Sequence, residues 1–247
     1  MARDSKERLD RLLVERGLAP SRARAQALVL AGKVIVGDAR VDKPGTRIDL
    51  DAPIRLRGPD HAFVSRGGLK LDFALERFAL EVGGAVALDA GASTGGFTDC
   101  LLQRGAVRVY ALDVGRGQLH QRLRADARVV VMERCNVRAL VPDDLGEPVD
   151  IAVLDLAFIS LRLALPPVLA CVRAGGALVP LVKPQFELRR EQVGKGGIVR
   201  DEALQREAVE GIEAFASELG CELRGKVASP IRGADGNQEY LLHLYKP

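Results

Sequence analysis

From about residue 85 onward the chain alternates short apolar runs with amphipathic stretches. The apolar runs fall at 85–90, 108–113, 128–133, 150–155, 177–183, 221–229 and 239–245. Most show no polar alternation, the pattern of strands buried on both faces. Apolar residues at helical spacing occupy 96–105, 116–124, 160–173 and 201–219. This succession predicts an α/β sheet with helices on both faces. The last run, starting at Glu239, follows Asp235-Gly-Asn-Gln and is expected to form an antiparallel hairpin with the run before it.

The first sixty residues follow a different rhythm. Leu9, Leu12, Leu13 and Val14 recur at helical spacing until Gly17, and Ser21 is placed to cap a second helix running through Gln26, Leu28, Val29 and Leu30 to Gly32. Residues 33–43 read as two short strands around a Gly37-Asp38 turn. Turn formers dominate 58–66, and His61 reads there as an exposed linker residue. Leu69, Phe73, Ala74 and Leu75 then mark an amphipathic helix. The expected organisation is a small α+β domain over 1–60, a linker over 61–68 and a larger α/β domain over 69–247.

Composition narrows the classes. A length of 247 residues accommodates one full domain and a small second one, with 47% hydrophobic and 28% charged residues, ordinary for a globular protein. No apolar run reaches the roughly 18 to 20 residues of a membrane span, and the polar start is no signal peptide, so a cytoplasmic location and no membrane partner are expected. Cys100, Cys135, Cys171 and Cys221 are scattered without a C-x-x-C pair, which indicates neither zinc nor disulfides. Cys135 reads as a small core hydrophobe.

Charge is more telling than its total. The net charge is +3, yet residues 1–60 carry 13 Lys and Arg against 9 Asp and Glu, while the remainder carries 23 against 24. A basic module joined to a near-neutral one points to a polyanionic partner. Lys6, Arg8, Arg11, Arg22, Arg24 and Lys33 are the candidate nucleic-acid contacts.

The candidate chemistry lies at the ends of the apolar runs. Leu88-Asp-Ala-Gly-Ala-Ser-Thr-Gly-Gly-Phe97 reads as a buried strand breaking into a glycine-rich turn that opens a helix. Such a turn lets backbone approach a ligand and presents helix N–H groups. Asp113 ends the next strand about twenty residues on, where a carboxylate can accept hydrogen bonds from both hydroxyls of a ribose. Seven strands closing on an antiparallel hairpin resemble an S-adenosylmethionine-dependent methyltransferase sheet more than a dinucleotide-binding one. On that reading Asp89, Gly91, Ser93, Thr94, Gly95 and Gly96 surround the methionine part of the cofactor, Asp113 takes its ribose, Asn136 lies near its adenine, and Asp155 borders the same site. Asp155 and Lys183 end two further strands. They suit either a substrate-orienting or proton-accepting pair or a structural ion pair closing the sheet. Lys70 and Glu239 lie where both can reach that edge.

Arg8-Leu-Asp-Arg-Leu-Leu13, Ser21-Arg-Ala-Arg-Ala-Gln-Ala-Leu28 and Gly32-Lys-Val-Ile-Val-Gly-Asp38 resemble the S4 RNA-binding domain, with Gly and Asp exchanged in the turn. Val64-Ser-Arg-Gly-Gly-Leu-Lys70, Asp89-Ala-Gly-Ala-Ser-Thr-Gly-Gly-Phe-Thr98, Asp155-Leu-Ala-Phe-Ile-Ser-Leu161, Val182-Lys-Pro-Gln-Phe-Glu187 and Gly194-Lys-Gly-Gly-Ile-Val199 extend the resemblance to nearly the whole chain. Together they look like the TlyA (haemolysin A) family, in which an S4 domain precedes an FtsJ-like ribose methyltransferase. Ala157 stands where that family commonly has serine, and Leu188-Arg-Arg190 makes the following loop more basic. The resemblance implies a catalytic Lys70, Asp155, Lys183, Glu239 tetrad and 2′-O-methylation of cytidine in ribosomal RNA. It also implies S-adenosylmethionine as cofactor, no metal, and a ribosomal partner with the large subunit favoured. Lys183 would take the 2′-hydroxyl proton or favour its removal, held by Asp155, while Lys70 and Glu239 orient the nucleotide. The rival readings are a pore-forming haemolysin, a non-catalytic ribosome assembly factor and another S4-bearing enzyme such as a pseudouridine synthase.

Overall fold

The computed structural model describes residues 6–19, 21–56, 62–233 and 235–247. The chain divides into two compact units, residues 1–60 and 61–247. His61 and the residues just before it lie outside the described residues.

The first unit runs β1 (Lys6–Arg8), α1 (Leu9–Glu15), α2 (Arg22–Leu30), β2 (Val34–Val36), β3 (Ala39–Arg40), β4 (Arg47–Asp49) and β5 (Ile54–Leu56). The helices form where their spacing predicts, and they bury Leu9, Leu13, Ala25 and Val29 in one small core with Val34. Ser21 Oγ accepts the Arg24 N–H at 3.3 Å, capping α2. At the β2–β3 turn only Gly37 has a positive φ, +59°, so the exchanged Gly-Asp order places the left-handed residue first. Two pairings went unread in the sequence. β1 pairs antiparallel with β4, and β5 joins β2 to give the order β3-β2-β5. These strands have two or three residues each, too short to display a period.

Asp10 organises this unit. Its carboxylate is buried at the start of α1 and accepts bonds from Arg8 at 3.0 Å, Arg22 at 3.0 Å and Gln26 at 2.9 Å. The Arg8 guanidinium, with Gln26 and Arg22 beside it, holds the Asp10 carboxyl well below the usual carboxylate range against the opposing cost of burial. Two candidate RNA contacts, Arg8 and Arg22, are thus engaged internally, though their side chains remain 40% and 51% exposed. Arg11 faces Glu7 at 3.7 Å and Lys6 faces Asp49 at 3.9 Å. Among the described residues no ion pair joins Arg24 or Lys33.

The second unit comprises α3 (Gly67–Arg77), β6 (Val86–Ala90), α4 (Gly96–Gln103), β7 (Arg108–Asp113), α5 (Gln121–Arg124), β8 (Val129–Glu133), β9 (Val149–Leu154), α6 (Leu161–Cys171), β10 (Val172–Val182), α7 (Pro184–Glu187), α8 (Glu202–Glu218), β11 (Glu222–Ala228) and β12 (Tyr240–Tyr245). Its seven strands lie in the order β11-β12-β10-β9-β6-β7-β8. β12 runs antiparallel to both β10 and β11, and the remaining pairs are parallel. The terminal hairpin is therefore more than an edge: β12 is inserted between its predecessor and β10. Neighbouring residues of one strand feed opposite cores. In β9, Ala152 and Leu154 pack with Leu165 and Val209, while Ile151 and Val153 pack with Leu71 and Leu101. That double burial is why the runs lack polar alternation.

Three boundaries differ from the sequence expectation. The helix expected over 116–124 shrinks to α5, because Gly115 and a left-handed Gly117, at φ +67°, hold the preceding residues in a loop. β10 begins at Val172, its register with β9 shifting between Val172 and Ala177 around a left-handed Gly175. α3 starts at Gly67, and Phe63 is buried in the unit's core, so the expected linker includes residues packed into the second unit. Gly68 accommodates that ring, since a Cβ there would lie 2.3 Å from Phe63.

Replacing Asp10 with Asn should weaken the first unit by about 1.5–3 kcal/mol, the range for a charge-assisted hydrogen bond. Because the folded carboxyl sits below its unfolded value, this stabilisation is full above the ordinary carboxylate range and is lost as pH falls through it towards the folded value. Amide hydrogen exchange of α1 and α2 in the full chain should show the wild-type advantage at pH 7 and its shrinkage near pH 3. Equal protection in both proteins at pH 7 would contradict this role.

Candidate active site

The parallel strands deliver their carboxyl ends to one edge, with β6 flanked by β7 on one side and β9 on the other. This is the switch point where open α/β sheets bind ligands. The loop after β6 is pinned there by its own backbone: the Gly91 and Ala92 N–H groups both donate to the Leu112 carbonyl, at 2.8 and 3.0 Å. Its glycines answer first to protein neighbours. A Cβ on Gly91, at φ +91°, would lie 2.5 Å from the Asp155 carbonyl oxygen; one on Gly95, at φ +96°, would lie 2.3 Å from Leu123. One on Gly96 would lie 2.2 Å from Ser65 Oγ. The expectation that all three glycines serve close approach to a ligand is corrected to this extent. Gly91 and Gly96 do line a cavity, whereas Gly95 makes room for α5.

Two cavities meet at this loop. The first, about 630 Å³, is lined by Asp113, Asn136, Leu112, Cys135 and Ile159. The second, about 330 Å³, is lined by Lys70, Thr94, Lys183, Ser65 and Arg232. They share Gly91, Ser93, Asp155 and Ala157. Asp113 is oriented by backbone, accepting the Ser93 N–H at 2.8 Å and the Gly115 N–H at 2.7 Å on different oxygens. Each oxygen keeps a lone pair for a further donor. Asn136 spends its carbonyl on capping, accepting the Arg138 N–H at 3.0 Å, and keeps its amide N–H groups. Burial pushes the Cys135 thiol up, which suits a packing role and not a nucleophile.

Asp89 departs from expectation. It is fully buried, lines neither cavity, accepts the Thr98 hydroxyl at 2.6 Å and leaves Oδ1 without a partner. Burial, reinforced by the Asp155 and Asp113 charges, pushes its carboxyl up to about 7. Its place is beneath the glycine loop and not against a ligand in either cavity.

The four residues of the expected tetrad form two ion pairs. Lys183 Nζ lies 2.6 Å from Asp155 Oδ1, and Lys70 Nζ lies 2.5 Å from Glu239 Oε2. Lys70, Asp155 and Lys183 line the smaller cavity. Glu239, only 2% exposed, does not line it as expected but stands behind Lys70. Each position follows from the fold. The Asp155 N–H donates to the Ala90 carbonyl at 3.0 Å, fastening the end of β9 to β6. Lys183 ends β10 just before Pro184 opens α7, Lys70 shares the buried face of α3 with Leu71 and Ala74, and Glu239 leads into β12.

Supporting residues were missed in the sequence. Asp99 accepts the Val64 N–H at 2.8 Å and Arg122 at 2.7 Å, which fixes the stretch bearing Ser65 and Arg66. Glu187, its carboxyl pushed up by burial, accepts the Ser160 hydroxyl at 2.6 Å and the Leu161 N–H at 2.9 Å, tying α7 to α6 beside Lys183. Asn237 binds the Val199 N–H at 2.9 Å and the Gly197 carbonyl at 2.8 Å. Glu187 and Asn237 are polar side chains inside stretches already singled out, and Asp99 directly follows one.

A family model described as FtsJ-like methyltransferase matches residues 63–246, and an S4 domain model matches residues 7–54. The chain belongs to the FtsJ-like methyltransferase family. It is 50% identical over 244 residues to the "Putative rRNA methyltransferase YqxC" of Bacillus subtilis, covering 98% of this chain and 86% of that protein. It is also 50% identical over 238 residues to the "16S/23S rRNA (cytidine-2'-O)-methyltransferase TlyA" of Mycobacterium tuberculosis, covering 96% and 89%. A solved structure, "Putative hemolysin from Streptococcus thermophilus", superposes with a TM-score of 0.77 at 46% identity over 98% of this chain and 89% of that one. In this FtsJ-like unit, among the described residues, no group of three or more His, Cys, Asp or Glu is arranged to hold a metal, and no helix is long and apolar enough to cross a membrane.

Gly91→Ala should cost clearly more stability than Gly84→Ala. Both residues are left-handed, at φ +91° and +78°, but only Gly91 also meets a fixed carbonyl; nothing lies within 4 Å of a Cβ on Gly84. Backbone strain alone accounts for about 1–2 kcal/mol at Gly84, and the contact adds to it at Gly91. Urea unfolding of the two variants measures the difference, and equal losses would show that the Asp155 contact is inconsequential.

Proposed function

We propose that this protein transfers a methyl group from S-adenosylmethionine to the ribose 2′-oxygen of a cytidine in ribosomal RNA, with the S4 domain docking the RNA. The observation that carries this reading is the paired placement of Lys183 on Asp155 and Lys70 on Glu239 beside the cavity that continues past Gly91 to Asp113. The names of the relatives from Bacillus subtilis and Mycobacterium tuberculosis support the RNA substrate, and the second supports cytidine and the 2′-oxygen.

The residues present suit the cofactor. Asp113 offers an anchored carboxylate with free lone pairs to the ribose diol, Asn136 offers amide N–H groups to the adenine, and the backbone at Gly91 to Gly96 borders the space left for the methionine part. When bound, S-adenosylmethionine supplies a methyl group on a cationic sulfur. The chain's own task is to make the 2′-oxygen nucleophilic and to aim it. Lys183 sits at the cavity wall to accept the 2′-hydroxyl proton once it has released its own, or as an ammonium to favour departure of that proton to solvent, and Asp155 fixes the lysine's direction. Lys70, steadied by Glu239, orients the nucleotide. Alignment is the larger contribution, since positioning can supply several kcal/mol of the barrier reduction. Lys6, Arg8, Arg11, Arg22, Arg24 and Lys33 serve RNA phosphates on this reading, with Arg8 and Arg22 presented from the Asp10 carboxylate.

Asp113→Ala should weaken S-adenosylmethionine binding at least tenfold and preserve the circular-dichroism spectrum, because each lost charge-assisted bond is worth about 1.5–3 kcal/mol. Calorimetric titration returning the wild-type affinity would remove Asp113 from the site. Mapping 2′-O-methyl groups on both ribosomal subunits should show a cytidine methylated by wild type and not by Lys183→Ala, whose cofactor affinity stays within about threefold of wild type. Near-normal turnover by that variant would exclude Lys183 from the chemistry, and no new 2′-O-methyl group on either subunit would overturn the proposed reaction.

A further inference from the structure

A third cavity, about 720 Å³, adjoins the catalytic one and is lined by Arg200, Arg206, Arg232, Glu202, Gln238 and Tyr240 among others. Arg232 also lines the cavity that holds Lys70, Asp155 and Lys183, so one side chain borders both spaces. We infer that this cavity is the track for the phosphodiester backbone of the RNA strand as it leaves the target nucleotide, an inference that rests on the RNA substrate proposed above.

The three arginines of this cavity are not committed to an acid, unlike several others of the same unit. Arg104, Arg122, Arg128 and Arg173 of the same unit each engage a carboxylate at 2.8 Å or less. Arg200, Arg206 and Arg232 are exposed and, among the described residues, none is joined to one. Among the described residues Arg232 donates only to the Gly236 carbonyl, at 3.1 Å, and no hydrogen bond or ion pair engages the side chains of Arg200 and Arg206. Glu202 is the single acid in the lining, so the cavity is net cationic. Guanidinium forks match phosphate oxygens bidentately.

The floor beneath these cations is rigid. The Tyr240 hydroxyl donates to Gln205 Oε1 at 2.8 Å, and Gln205 Nε2 donates to the Val199 carbonyl at 2.8 Å. Asn237 binds the Val199 N–H from the other side, at 2.9 Å. Tyr240, the one aromatic in the lining among the described residues, is half-buried and tied to this floor through its hydroxyl. Guanidinium groups on a fixed polar floor match the charge that every nucleotide repeats along the backbone whatever its base.

The test compares four full-length proteins binding a labelled dodecacytidylate over a range of KCl: wild type, Arg200→Gln/Arg206→Gln, Arg200→Lys/Arg206→Lys, and Arg173→Gln/Arg224→Gln. Two lost single-strand phosphate contacts should make the log–log salt slope shallower by about 1.4, at about 0.7 per contact. The lysine pair should keep most of the wild-type slope, and the Arg173/Arg224 pair all of it, because local and not net charge is at issue. S-adenosylmethionine affinity should be unchanged in every variant. An unchanged slope in the Arg200→Gln/Arg206→Gln protein, an equal change in the Arg173→Gln/Arg224→Gln protein, or no dodecacytidylate binding by wild type would overturn the track. The methylation reading fails separately: a slope change of the expected size without any 2′-O-methyl product from wild type would overturn the reaction and leave the track standing.

Discussion

The close approach of Gly91 to the Asp155 carbonyl is the constraint on which the rest of the catalytic unit depends. With no side chain at residue 91, the ends of β6 and β9 pack against each other, and the Asp155 N–H bonds to the Ala90 carbonyl at 3.0 Å. The glycine loop and the carboxylate that holds Lys183 are therefore set by one local packing arrangement. Displacement of either strand end moves both the glycine loop and Lys183. In-line transfer demands that sort of shared reference, because the donor and acceptor atoms must be aligned to within fractions of an ångström.

Charge is arranged by the same logic of internal commitment and external vacancy. Asp10 gathers Arg8 and Arg22 and so fixes where two cations of the first unit stand. In the second unit the two lysines at the cavity are each neutralised by one acid, which limits the desolvation cost of keeping ammonium groups beside apolar strands. Arg66, Arg138 and Arg232 border the two cavities, and among the described residues none of them is joined to a carboxylate.

The sheet was legible because its strands are buried on both faces and so stand out as apolar runs, and because glycine and acid fall at their ends. Asp113, Asp155 and Lys183 could be placed at strand tips for that reason. Asp89 misled: an acid inside an apolar run preceding a glycine turn looks like a ligand contact, and only the packing shows it sealed under the loop with Thr98. Glu239 was assigned to the right edge, but a sequence cannot say whether a side chain faces a cavity or stands behind a partner. The short strands β1, β4 and β5 and the loop that replaces most of the helix expected at 116–124 escaped for a simpler reason. Their conformation is decided by pairing and glycine geometry and not by periodicity.

The position of β12 has a consequence for biosynthesis. Lys70 and Glu239 are separated by 169 residues in the chain, and the strand that Glu239 introduces is wedged between β10 and β11. A nascent chain extending only through β11 already carries the glycine loop, Asp155 and Lys183, yet Lys70 has no carboxylate opposite it and β11 has no strand to lie against. Completion of the Lys70–Glu239 pair is thereby deferred to the insertion of β12. A polypeptide still emerging from its ribosome holds three of these four side chains without their final arrangement.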